Sequence, residues 1–129
     1  MEIKPVVAEG VFDVPAYAQA YKVTGVSSLV FLAGQVALDA AGEPAHPGDF
    51  KAQARNVLEC VKRLVEASGS SVDRIVKLTV FLTDSRYRAD FAPLRNAFFN
   101  NKVPPHAIIE VGALMRPEWL IEIEAIAVI

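Results

Sequence analysis

DFKAQARNVLECVKRLVEASG, Asp49 to Gly69, followed after Ser70-Ser71-Val72 by DRIVKLTVFLTD, Asp73 to Asp84, decides the architecture of this chain. In the first segment Phe50, Ala54, Val57, Leu58, Val61, Leu64 and Val65 recur at the spacing of one helix face. Asp49, after Pro47-Gly48, is placed to cap the first turn, and Gly69 stands where a left-handed stop belongs. The opposite face carries the i, i+4 pairs Arg55 with Glu59 and Lys62 with Glu66, a solvated surface that needs no function. The second segment switches period. Ile75, Lys77, Thr79 and Phe81 alternate with Val76, Leu78, Val80 and Leu82, which predicts a strand with one face fully apolar.

Working outward, a second helix is expected from about Tyr87 to Asn100, with Phe91, Leu94 and Phe98 on one stripe, Pro93 near its first turn and Pro104-Pro105 as its stop. HAIIEVGAL (His106–Leu114) and LIEIEAIAVI (Leu120–Ile129) read as strands joined by the polar turn MRPEW. At the front, YAQAYKVTG and SSLVFLAGQVAL, split by Gly25-Val26-Ser27, suggest a hairpin. The order is β-β-α-β-α-β-β: one α+β domain over residues 1–129, its sheet covered by two helices on one face. Apolar residues on both sides of several strands imply that the face without helices also needs cover, and another copy of the sheet is the simplest cover.

Composition narrows the function. With 13 basic and 15 acidic residues, a formal charge of −2 and no run of one sign, the chain lacks the electrostatic footprint of a nucleic-acid binder. No run of about 18 apolar residues offers a membrane span, and MEIKPVVAEG lacks a signal-peptide pattern, so a cytoplasmic protein is expected. Cys60 is the sole cysteine and lies inside the helical pattern, where it reads as a small apolar residue and not as a nucleophile. His46 and His106 stand in no metal-ligand spacing, and no glycine-rich phosphate loop occurs, so neither metal nor nucleotide cofactor is expected.

The remaining candidates are polar residues stranded among apolar ones. Glu122 and Glu124 flank Ile123, and Glu110 interrupts AIIEV; each carboxylate faces water, a partner or a pocket. Tyr17 either lines a cleft or packs its ring with its hydroxyl in water. His106, directly after two prolines, is a site residue or a strand-edge histidine.

The segments QARNVLECVKRLVEASGSSVDRIVKLTVFLTD, PAYAQAYKVTG, LVFLAGQVALD with the Gly42-Glu43 after it, and IEIEAIAV together resemble the YjgF/YER057c/UK-type Rid family of reactive-intermediate deaminases over nearly the whole chain. That resemblance implies a chorismate-mutase-like fold, a homotrimer with a central barrel, and small-molecule clefts between subunits. It further implies cofactor-independent hydrolysis of enamines and imines, with Tyr17, Gly34 and Ile108 at substrate-binding positions and Glu122 positioning water. Where the family has a carboxylate-binding arginine, this chain has His106, and the family's helix asparagine aligns with Ala92. An arginine fork makes two charged hydrogen bonds to a carboxylate, whereas a histidine is mostly neutral near pH 7 and offers one donor per side. Two classes of function follow. One is a variant hydrolase in which His106 polarises or protonates the substrate while Glu122 orients water. The other is a noncatalytic trimer that binds a small metabolite or a partner. Arg88, Arg95 and Arg116 could restore the missing charge, but each is expected at the surface, where arginines stay solvated.

Overall fold

Helix α1 (Phe50–Ala67) forms where its apolar period places it and is closed at both ends by the residues that its sequence offered. The Ala52 N–H donates to the Asp49 carboxylate at 3.1 Å. At the other end Gly69 takes φ +87°, and the N–H groups of Gly69 and Ser70 donate to the Glu66 and Val65 carbonyls, a Schellman stop. In this computed structural model, which describes residues 1–129, six strands and a second helix complete the domain: β1 (Glu2–Val6), β2 (Ala20–Thr24), β3 (Leu29–Gln35), β4 (Ile75–Leu82), α2 (Arg88–Phe98), β5 (His106–Glu110) and β6 (Ile121–Val128).

The main sheet has the order β3-β6-β4-β5. β6 is antiparallel to both neighbours, and β5 runs parallel to β4. Leu78, Val80 and Leu82 of β4 and Ile121, Ile123 and Ala125 of β6 point to the helix side, where they meet Val57, Val61 and Val65 of α1 in one buried core. Both helices cover this face, the expected α+β layer pair.

The front hairpin does not form. β2 instead pairs with β1, a strand that the sequence pattern did not single out, in a separate two-stranded ribbon. Alternation tells which way side chains face, not which strand they pair with. β3 is drawn to β6 by its own start, where the N–H groups of Ser27 and Ser28 donate to the Ile129 carbonyl at 2.7 and 3.0 Å. Pro5 is tolerated in β1 because that strand lies at an edge.

Helix α2 also differs in detail. It starts at Arg88 after a single 3₁₀ turn, Ser85–Tyr87, so Pro93 is its sixth residue and not part of its first turn. The missing N–H deprives only the carbonyl of Ala89, an exposed residue that water can reach. The helix stops before the prolines, at Asn100 and Asn101, which both take left-handed conformations with φ 50° and 61°. Pro104 and Pro105 then lead the chain into β5.

Candidate functional site

The cleft lies at the β5 edge of the sheet, on the helix side, with a volume of about 410 Å³. Tyr17, His106 and Ile108 line it together with Ser85, Arg88, Arg95 and Glu110. Strand pleat explains the set: His106, Ile108 and Glu110 pair with Leu78, Val80 and Leu82 and therefore share the helix-facing side, but at an edge that the helices leave open. Tyr17 reaches the site because the Ala18 N–H donates to the Val103 carbonyl at 3.1 Å, which ties the N-terminal loop to the approach to β5. Its ring meets the His106 ring edge-on, with centroids 4.6 Å apart. The Glu110 carboxylate accepts from the Ser85 N–H at 2.7 Å and so holds the turn that begins the cleft wall.

Both ring nitrogens of His106 are engaged. Nδ1 lies 3.0 Å from the Pro104 carbonyl and Nε2 lies 3.1 Å from Nη1 of Arg95. A carbonyl only accepts and a guanidinium only donates, so Nδ1 carries the proton and Nε2 offers its lone pair. The neutral imidazole is the form that satisfies both contacts. Burial pushes the His106 pKa below its ordinary 6.5, and the charges of Arg95 and Lys77 push the same way, against the pull of the Pro104 carbonyl.

Arg95 is not at the surface. It is 6% exposed, although it lies on the helix of an otherwise accessible layer. Its Nε and Nη2 donate to the Asn96 side-chain carbonyl at 3.1 and 3.0 Å. The sequence carried the signal for this burial: Phe91, Leu94, Arg95 and Phe98 follow i, i+3, i+4, i+7, so Arg95 falls inside the apolar stripe. Arg88 is exposed at the rim of the same cleft, and Arg116 sits elsewhere, 3.6 Å from the Glu43 carboxylate and 3.5 Å from that of Glu118.

Glu122 and Gly34 are on the other side of the sheet. Glu122 pairs with Phe81, whose side chain points away from the helices, and the Glu122 carboxylate lies over Gly34. A Cβ at position 34 would come within 2.8 Å of the Glu122 Cδ, so the strand needs a glycine there for the carboxylate to lie down. The residues singled out in the sequence therefore form two groups, Tyr17, His106 and Ile108 in the cleft and Gly34 and Glu122 on the open face. No group of three or more His, Cys, Asp or Glu side chains is arranged to hold a metal ion. Cys60 is half-buried on α1, with its thiol 3.8 Å from the Asn56 side-chain oxygen.

Comparison with known proteins agrees with the layer order. Residues 13–129 match the family described as Endoribonuclease L-PSP. A RutC family protein of Pyrococcus horikoshii is 37% identical over 111 residues, which is 86% of this chain and 85% of that protein. Protein HMF1 of Saccharomyces cerevisiae is 34% identical over 126 residues, 97% of this chain and 94% of its own length. The crystal structure of YyfB, a protein of the conserved Rid family from Yersinia pestis, superposes with a TM-score of 0.88 at 29% identity, with 100% of both chains covered. With the family match running through nearly all of the sequence and the same fold in a Rid relative, the chain belongs to the endoribonuclease L-PSP family of YjgF-type Rid proteins.

Proposed function

We propose that this protein hydrolyses a small enamine or imine in a cleft completed by a second copy of the chain, as one of the clefts of a homotrimer. The observation that carries this reading is the division of the site: His106 and Tyr17 lie on the helix side of the sheet edge, and Glu122 and Gly34 on the open face. A side chain cannot cross its own sheet, so a site using both groups needs the open face of one copy against the cleft of the next. The exposed apolar side chains of that face, Phe31 at 70% and Leu29 at 58% exposure, supply the surface for such contact.

The chemistry asked of the chain is modest. Water adds to the imine carbon, the C–N bond breaks, and the products are a carbonyl compound and ammonia. The Glu122 carboxylate takes a proton from the attacking water. Tyr17 and Ile108 enclose the substrate, and His106 acts through the residue that it holds, since neither ring nitrogen is free to donate to substrate in this arrangement. No cofactor enters the scheme. The family description names an endoribonuclease, but a formal charge of −2 with no basic run gives this chain nothing to follow a phosphate backbone.

The test is ammonia release from freshly generated 2-aminoacrylate and larger imines. Release by the unmodified protein, reduced roughly 10²- to 10⁴-fold in Glu122→Gln, is the expected result. The occupied nitrogens of His106 favour a second reading, a trimer that binds a small metabolite without turning it over. Ligand binding with no ammonia from any substrate would decide for that reading.

A further inference from the structure

We propose that Arg95, presented by α2 and held by a neutral His106, is the anion-binding residue of the cleft, and that the ligand it selects is a small carboxylate. The choice of a 2-imino or 2-oxo acid as that carboxylate rests on the hydrolytic reading above; the anion site itself does not.

The argument starts from an uncompensated charge. Arg95 is 94% removed from solvent by its 6% exposure, yet the five ion pairs of the protein use Lys51, Arg63, Arg86 and Arg116 and leave Arg95 without a carboxylate within 4.0 Å. Its neighbours are the neutral acceptors Asn96 Oδ1 and His106 Nε2. Burying a cation against neutral partners alone is unfavourable, and a fold keeps such a group where an anion arrives to complete it. Burial and the nearby Arg88 both press on the guanidinium and lower its pKa, with Tyr17 opposing them, and a bound carboxylate relieves both pressures.

Donor geometry identifies the kind of anion. A guanidinium has five N–H groups, and three are used: Nε and one on Nη2 toward Asn96, one on Nη1 toward His106. One N–H remains on each Nη, and guanidinium N–H groups of this kind suit the oxygens of a carboxylate. Arg95 is a wall residue of the cleft, beside the Tyr17 ring and the Ile108 side chain.

His106 is a positioning residue in this arrangement. Its Nδ1–H is anchored on the Pro104 carbonyl, its ring is held edge-on by Tyr17, and its Nε2 lone pair fixes Nη1. A protonated ring would set N–H against N–H and release the fork. The apparent loss of a cation at strand position 106 is thus offset by one that arrives from the helix eleven residues earlier.

The experiment is a titration of the full-length protein, followed by NMR or calorimetry, with pyruvate and 2-oxobutyrate as anionic probes and pyruvamide as the neutral control. The unmodified protein should prefer pyruvate to pyruvamide. Arg95→Gln should weaken pyruvate binding by ~10- to 100-fold and leave pyruvamide unchanged. Arg95→Lys, which keeps the charge without the fork, should fall between the two. His106→Leu should weaken pyruvate binding, and His106→Gln, whose amide can accept from Nη1 and donate to Pro104, should restore it. Should Arg95→Gln fail to fold, the Leu and Gln variants at 106 decide alone, because a merely structural role would not make pyruvate binding follow the acceptor. Equal binding of pyruvate and pyruvamide, or a pyruvate preference that survives Arg95→Gln, would overturn the proposal. Ammonia release separates the two ideas. Its absence with the carboxylate preference intact sinks hydrolysis and keeps the anion site, and its persistence unchanged in Arg95→Gln does the reverse.

Discussion

The two faces of the β3-β6-β4-β5 sheet are built from the same alternating strands and have opposite fates. On the helix side Leu78, Ile121 and Ile123 are wholly buried, while on the other side Phe31 and Leu29 are more than half exposed. The difference shows that strand pattern prepares two apolar faces, and that the chain supplies helices for only one. The candidate site residues divide along the same plane, with Arg95 and His106 at the edge of the covered side and Glu122 above Gly34 on the open side.

The comparison breaks first in the core. Ile123→Ala removes a side chain packed against α1 and should cost about 2–5 kcal/mol in chemical denaturation. A loss under 1 kcal/mol would mean that the covered face is no better packed than the open one. One strand over, Gly34→Ala places a methyl group where the Glu122 carboxylate now lies; the carboxylate is flexible enough to move, so stability should fall by about 1 kcal/mol or less while ammonia release falls much further. Activity that follows stability in proportion would remove Glu122 from the chemistry.

Acid sharpens the helix-side edge. The His106 imidazole resists protonation when folded but accepts a proton near 6.5 when unfolded, so the unfolded chain binds more protons below that pH. Stability should therefore be flat above about 6.5 and decline as pH drops below it, until the folded ring titrates too. Arg95 and Lys77 are the charges that press on the ring; Asp84, whose carboxyl Arg86 holds at about 2, acts only in a lower window. His106→Gln should flatten the decline in a denaturation series across pH 5–8, and a decline that survives this change belongs to other groups. The smallest effect on the fold is expected at Phe31→Ser, under about 0.5 kcal/mol for the single chain, because that ring lies in water. Its effect should show instead as a lower mass in light scattering with unchanged circular dichroism. An unchanged mass would mean that the open face is not the contact between copies.

Periodicity, caps and glycine placement made α1, β4, β5 and β6 legible, because these signals depend on local backbone geometry and on the side that each residue presents. The same signals placed His106 where a strand begins, offered Tyr17 as a cleft candidate ahead of another strand, and left Glu122 among apolar neighbours. They did not reveal β1, since a short edge strand containing proline differs little from a loop in sequence. They also misjudged the pairing of β3, because pairing depends on long-range contacts such as those of Ser27 and Ser28 with Ile129. Arg95 is the sharper case. Its position in the apolar stripe of α2 was readable, but its role depends on a histidine eleven residues away whose Nε2 accepts a hydrogen bond from its Nη1.

By itself, then, the sequence determined the layer architecture, the elements that build it and the residue types available for chemistry, because hydrophobic period and turn chemistry act over a few residues. Only the tertiary structure decided which of those residues meet. It set His106 neutral between the Pro104 carbonyl and the Arg95 guanidinium, and it placed Glu122 across the sheet from both, because hydrogen-bond partners and sheet faces are settled by the packing of segments far apart in the chain.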